Sequence, residues 1–153
     1  MKILTEKASL FLKNNQDKKI VFTNGCFDIL HCGHLSYLSS AKNEGDLLFV
    51  GLNSDSSVRK LKGPQRPINQ ESERKFFLEN LKSVDFVEIF DEETPLDLIK
   101  QVRPDVLVKG GDWEVNQIVG SNIVLSYGGK VESLHFLDGH STTKIIQDLQ
   151  GRE

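Results

Sequence analysis

The chain has 153 residues, 38% of them hydrophobic and 27% charged, with a formal net charge of −3. That is the size and make-up of one ordinary folded domain with a real core, not of a disordered or fibrous chain. Mild acidity without a basic block argues against a nucleic-acid partner, and no apolar run approaches the length needed to span a bilayer.

In chain order, residues 1–17 read as an N-terminal helical extension in which Leu4, Ala8, Phe11 and Leu12 make an apolar face. Residues 1–19 are polar and charged, without an apolar signal core, which points to the cytoplasm. Residues 18–153 read as the main domain. Apolar runs at 19–23, 46–52, 84–90, 105–109 and 130–135 are expected as strands. Amphipathic stretches at 33–43, 70–81, 95–102, 120–127 and 142–150 are expected as helices. Gly45 and the pair Gly128-Gly129 mark helix stops, Asn69 is expected to cap the helix after Pro67, and Thr94 to cap one that starts with Pro95. This alternation implies an α/β fold: a single Rossmann-like, doubly wound, parallel five-stranded sheet. Such sheets bind ligands beyond the C-terminal ends of their strands, and four polar clusters fall at those ends.

The first cluster runs from Asn24 to His34, between an apolar strand and a helix. Neither G-x-x-x-x-G-K-[ST] nor G-x-G-x-x-G occurs, so a phosphate bound here would use another device. Gly25 permits a tight turn, and Gly33 leaves room beside the unpaired N–H groups of a helix start. His31 and His34 are spaced i, i+3, which puts both imidazoles on one side of a helical turn. Two such donors suit the charge that gathers on an α-phosphoryl group during transfer. A capping or surface role for the histidines stays open, as does a zinc site of Cys26, His31, Cys32 and His34, although that spacing matches no common structural zinc pattern. Nothing in the sequence activates Cys32 as a nucleophile, and reduced thiols are the default for Cys26 and Cys32.

The second cluster gathers Arg59, Lys60, Lys62, Arg66 and Arg74 around Gly63, Pro64 and Pro67. It is either a solvated loop or a cationic lid over phosphates. Lys109-Gly110-Gly111-Asp112-Trp113 is the third, where the glycines admit a flat ring or a ribose and Asp112 accepts hydrogen bonds, unless the segment is a plain turn with Trp113 packed away. In the fourth, Asp138 to Lys144, Ser141 is a natural N-cap, and the helix start with Thr142 and Thr143 offers N–H and O–H donors to phosphates.

The first run resembles the H-x-G-H element of the cytidylyltransferase-like nucleotidyltransferase superfamily. Asn24 to His34, Asn53-Ser54-Asp55, Leu61-Lys62-Gly63, Arg66-Pro67-Ile68, Val108 to Asp112 and Asp138 to Thr143 follow in order as in the heptose 1-phosphate adenylyltransferases. That branch exists as the C-terminal half of a bifunctional ADP-heptose synthase or as a stand-alone enzyme. The likeness spans about residues 18–149, and the lack of a sugar-kinase domain in this sequence favours the stand-alone form. The resemblance implies transfer of AMP from ATP to D-glycero-D-manno-heptose 1-phosphate, with Mg²⁺ held mainly through the phosphates and no dedicated protein ligands. It implies catalytic roles for His31, His34 and Lys62. It puts Cys26 (by its backbone N–H), Phe27, Gly33, Lys109, Gly111, Asp112, Ser141, Thr142 and Thr143 on the nucleotide, and Lys60, Arg66 and Arg74 on substrate phosphate, with Lys60 the rival of Lys62. Relatives are commonly homodimers, and the partners implied are otherwise small molecules. Glycerol-phosphate cytidylyltransferases carry an arginine shortly before the S-T-T element, where this chain has Phe136-Leu137-Asp138. A cytidylyltransferase for an alcohol phosphate and a non-catalytic nucleotide-binding module remain the alternatives. A class I aminoacyl-tRNA synthetase fragment would need a second K-M-S-K-S-type loop, which is missing.

Overall fold

The structure, a computed structural model, describes residues 4–151. Met1, Lys2, Ile3, Arg152 and Glu153 lie outside the described residues, and with them the outer ends of the 1–17 and 18–153 division. The elements run α1 (Glu6–Asn14), β1 (Ile20–Gly25), α2 (Cys32–Lys42), β2 (Leu47–Asn53), α3 (Asp55–Lys62), α4 (Glu71–Glu79), β3 (Phe86–Phe90), α5 (Leu96–Val102), β4 (Val106–Gly110), a 3₁₀ turn (Val115–Gln117), α6 (Ser121–Ser126), β5 (Lys130–Leu134) and α7 (Thr142–Gln150). All four pairings are parallel, in the order β3-β2-β1-β4-β5. The order therefore reverses between β1 and β4, as expected of a doubly wound sheet. No described helix is long and apolar enough to cross a membrane.

Strands β1 to β4 are largely buried on both faces, whereas β5, at the sheet edge, fully buries only Val131. Val21, Leu48, Val50, Val87 and Val108 pack against Tyr37, Leu38 and Ala41 of α2 and Leu78 of α4. Phe22, Phe49, Phe90 and Leu107 pack against α5 and α6 on the other face. There too lies α1, with Ala8 buried and Leu4, Phe11 and Leu12 partly buried, the apolar face its sequence implies. Thr5 caps α1 by accepting from the Ala8 N–H, and its own N–H and O–H donate to the buried Glu88 carboxylate of β3, at 2.9 Å each.

One device recurs where strands begin. Asp46, Asp85 and Asp105 each stand directly before a strand, and their carboxylates accept from the N–H groups of Lys19, Leu48 and Ile20, all at 2.8 Å. These side chains complete the ladder ends that lack a backbone partner, so β2 and β4 start one residue later than their apolar runs suggest. Gly45 does not act as a left-handed helix stop. A Cβ there would meet Val21 Cγ2 at 2.7 Å, so this glycine is required by close approach to β1.

Three expectations need correction. The segment carrying Arg59, Lys60 and Lys62 is helix α3, capped by Ser54, whose oxygen accepts from the Ser57 N–H at 3.2 Å. Asn69 does not cap α4. Gln70 holds the cap position without a side-chain bond, and Asp55 accepts the Glu71 N–H from across the fold at 2.8 Å. Pro95 occupies the cap position of α5 in place of Thr94.

Candidate active site

A cleft of about 460 Å³ opens over the C-terminal ends of β1, β2 and β4, with residues of α2, the α3 end and the α7 start on its walls. It coincides with the reversal of strand order. Among the predicted site residues, Cys26, Phe27, His34, Lys62, Arg66, Lys109 and Thr142 line it.

Its centre is the turn from β1 into α2. Phe27 and Ile29 both adopt positive φ, at 48° and 53°, a conformation that costs side-chain-bearing residues about 1 kcal/mol or more. The turn delivers His31 to the cap position of α2 in extended backbone. Its Nδ1 accepts from the Gly33 N–H at 3.1 Å, while the His31 N–H donates to Nδ1 of His34 at 3.3 Å. Two histidines thus make the reciprocal cap that other helices make with hydroxyls and carboxylates. Because both Nδ1 atoms accept, each neutral ring carries its proton on Nε2, free to donate elsewhere. The rings lie 3.9 Å apart by centroid. Burial, the neighbouring His31 and Lys62 bring the His34 pKa down to about 4, and burial with His140 lowers that of His31. Near pH 7 both are neutral Nε2–H donors. Gly33 is essential to this packing, since a Cβ would stand 2.8 Å from the His31 ring. A Cβ at Gly33 would also stand 3.1 Å from Cβ of His140.

Asp28 holds the turn from behind. Its buried carboxylate accepts from Arg66 Nε at 2.8 Å, from the Ile68 N–H at 2.8 Å and from the Asn69 N–H at 2.9 Å. Burial alone would raise its pKa, but the two amides and the Arg66 guanidinium outweigh that and hold it below the usual carboxylate value. Arg66 donates to Asp28 through Nε and also lines the cleft.

Arg74 departs from its expected position. It is 0% exposed, and its donors reach the carbonyls of Asn69, Cys26 and Asn53 and the Asp55 carboxylate at 2.7–2.9 Å. It pins the β1 turn, the β2 end, α3 and α4 together and presents nothing to a substrate. Lys60 is exposed on α3 and stands outside the cleft lining, whereas Lys62, the last residue of α3, lines the cleft with no hydrogen-bond or ionic partner among the described residues.

On the opposite wall Lys109 is half-buried, which lowers its pKa, and its ammonium lies 5.6 Å from the Trp113 ring. Trp113 is 46% exposed and lines the cleft, so it is no core residue; its indole N–H donates to the Gly110 carbonyl at 3.0 Å. Gly111 has φ +109° and donates to the Leu134 carbonyl, while Asp112 stays exposed outside the cleft lining. At the α7 start, Ser141 accepts from the Lys144 N–H at 3.0 Å, and the Thr142 hydroxyl donates to the Asp28 carbonyl at 2.5 Å. The N–H groups of Thr142 and Thr143 have no partner among the described residues. Burial raises the Cys26 thiol pKa and Cys32 is exposed, so the four residues of the zinc alternative do not share one setting. Among the described residues no three His, Cys, Asp or Glu side chains gather as a metal site would require.

The model of the cytidylyltransferase-like family matches residues 22–148. The chain belongs to that family. It is 58% identical over 132 residues to the bifunctional protein HldE of Geobacter metallireducens, covering 86% of this chain and 27% of the relative. It is 52% identical over 152 residues to the HldE of Campylobacter jejuni subsp. doylei, covering 99% of this chain and 32% of that protein. The chain thus spans about a third or less of the length of these relatives. A crystal structure of the lipopolysaccharide core biosynthesis protein from Thermoplasma volcanium superposes with a TM-score of 0.63 at 29% identity, over 78% of this chain and 97% of that one. Pantothenate synthetase from Thermus thermophilus, at 13% identity and a TM-score of 0.59 over 92% of this chain and 68% of its own, shares the fold alone.

Within this cytidylyltransferase-like chain, sequence reasoning gave no role to Asp28, Asp55, Tyr37 or His140. Asp28 offered a signal, since a carboxylate inside a short, otherwise apolar turn needs a partner, but nothing in the sequence singled out Arg66 from the neighbouring cations. Tyr37, buried beneath the cleft with its hydroxyl 2.6 Å from that of Thr23, reads as a plain helix residue in the sequence.

Proposed function

We propose that the chain is an adenylyltransferase that moves AMP from ATP to D-glycero-D-manno-heptose 1-phosphate, releasing pyrophosphate and forming ADP-heptose for lipopolysaccharide or another surface glycan. The observation that carries this reading is the reciprocal histidine cap at the cleft, which leaves two neutral Nε2–H donors on one side of a helix start. The similarity to the HldE proteins supports the choice of sugar phosphate and of ATP. In the reaction, a phosphate oxygen of the sugar 1-phosphate attacks the α-phosphorus in line and the bond to the β-phosphate oxygen breaks. That nucleophile is already anionic near pH 7, so no general base is required, and catalysis rests on alignment and charge stabilisation. His31 and His34 donate to the α-phosphate oxygens. Lys62 and Arg66 screen the two approaching anions, Thr142, Thr143 and Ser141 hold the departing pyrophosphate, and Lys109, Trp113 and Gly111 flank the base and ribose. Arg74 takes no part with substrate; it fixes the turn that carries the histidines.

Mg²⁺ is proposed to arrive on the triphosphate and to neutralise it. Asp28 in the turn after β1 and Asp55 at the start of α3 are already engaged by guanidinium and amide donors. This reading places the protein in the cytoplasm, where nucleoside triphosphates are made. It also pairs the chain with a second copy, for which the outer face of α4 offers Phe76, 63% exposed, beside the exposed Phe77. The decisive assay measures pyrophosphate release from ATP, CTP and GTP, each with heptose 1-phosphate and with glycerol 3-phosphate. Release with ATP and heptose 1-phosphate is expected. A preference for CTP with glycerol 3-phosphate would replace this reading with an alcohol-phosphate cytidylyltransferase, and nucleotide binding without release in any pairing would leave a binding module.

A further inference from the structure

His140 belongs to neither the capping pair nor the core. It is exposed, and its nitrogens have no hydrogen-bond partner among the described residues. Its ring lies nearly parallel to that of His31, with centroids 6.2 Å apart and planes 21° apart, so the three rings follow one another from His34, which lines the cleft, to His31 and His140, which stand outside its lining. Its Cβ stands 3.1 Å from where a Cβ on Gly33 would sit, which brings the start of α7 onto the start of α2. Thr142 fixes that approach through its bond to the Asp28 carbonyl. Two helix N-termini, each with positive partial charge, therefore converge with His140 between them. The acidic neighbour in its own turn, Asp138, lies 3.4 Å from His135.

We propose that His140 is a third imidazole of the polyphosphate site, donating to the phosphoryl groups that depart as pyrophosphate. The inference rests on the adenylyltransferase reading for the identity of the ligand, while its test does not need turnover. His31 and His34 face the α-phosphate, and His140, displaced from His31 toward the unpartnered N–H groups of Thr142 and Thr143, meets the next phosphates along the chain.

The test is calorimetric titration of the full chain with Mg²⁺-pyrophosphate, beside steady-state kinetics, for the parent, His140→Ala and His140→Gln. Gln is chosen because its amide nitrogen reaches the place of Nε2. His140→Ala is expected to weaken pyrophosphate binding by about tenfold and to raise the KM for ATP similarly, with the KM for heptose 1-phosphate unchanged and His140→Gln recovering most of the loss. A merely structural residue would move both KM values and the melting temperature together, and Gln would not rescue it. Pyrophosphate binding by His140→Ala within twofold of the parent, or no binding by the parent, overturns the proposal. If the parent transfers no adenylyl group yet binds pyrophosphate through His140, the enzymatic reading falls and this one stands.

Discussion

His34 engages one ring nitrogen in the fold, where Nδ1 accepts the His31 N–H and closes the helix start, and in the proposed reaction Nε2 carries the proton that a phosphate oxygen accepts. Substituting His34 by Ala removes a donor aimed at developing charge and is expected to slow single-turnover adenylyl transfer by about a hundredfold or more. A rate within a few-fold of the parent would take the histidine out of the mechanism. The same residue carries a pH signature. Folding lowers its pKa to about 4, below that of a free imidazole, so between those values the unfolded chain binds more protons than the folded one. Stability is therefore full above the free-imidazole value and declines as pH falls through that window, with His31 acting in the same direction. The melting temperature is expected to drop between pH 6.5 and 4.5, and His34→Asn, whose side-chain oxygen can still accept the His31 N–H, is expected to flatten the drop. A melting temperature that rises on acidification would contradict this assignment. Lys62 and Lys60 divide by position: Lys62→Ala is expected to raise the KM for the sugar phosphate about tenfold, and Lys60→Ala to leave it unchanged. Equal effects in the two kinetic series would show α3 to be only a solvated helix.

At the scale of elements, the cleft depends on a joint that no single helix or strand supplies. Arg74 on α4 joins the carbonyls closing β1 and β2 to the Asp55 carboxylate of α3, and Asp55 in turn caps α4. Breaking a buried pair leaves an uncompensated charge, so Arg74→Ala is expected to destabilise the fold by about 3–5 kcal/mol. Chemical denaturation checks it, and a loss below about 1 kcal/mol, a surface-pair value, would show the joint to be dispensable. The sequence made some of this legible and hid the rest for physical reasons. Strands β1, β2 and β4 are buried on both faces and start in apolar runs, which made them and the sheet type visible, while β3 and β5 were read despite Glu88, Glu132 and Ser133. Helix α3 buries only Ser57 and Val58, and its Asp-Ser-Ser start followed by Arg59, Lys60 and Lys62 reads as a charged loop. Positive charge shows in a sequence, but the partner that claims it does not. Arg66 and Arg74 look alike there, yet one lines the cleft and the other is enclosed. The histidine pair was legible because i, i+3 spacing after a strand fixes geometry locally, whereas His140 enters the site through a packing contact 107 residues further on in the chain than Gly33.

Over the whole molecule, the proposed catalytic parts and the supporting ones occupy opposite ends of one sheet. The aspartates that complete the strand starts lie at the N-terminal edge, and the proposed donors for phosphate lie beyond the C-terminal ends, where β1 and β4 part toward opposite sides of the sheet. That division lets the turn at Phe27 and Ile29 carry its positive φ values while the core beneath stays apolar. The aromatic pair on the outer face of α4, Phe76 and Phe77, lies outside both parts. If a second copy covers it, Phe76→Glu is expected to convert a dimer to a monomer in sedimentation analysis with the fold intact. A parent chain that sediments as a monomer at high concentration would remove this assignment.

The most direct measurement is a crystal structure of the chain with Mg²⁺ and an ATP analogue that cannot lose pyrophosphate. The account requires Nε2 of His31 and of His34 within hydrogen-bond distance of α-phosphate oxygens, with the terminal phosphates against the Thr142 and Thr143 amides. A nucleotide seated elsewhere, or an α-phosphate beyond the reach of both imidazoles, would contradict it.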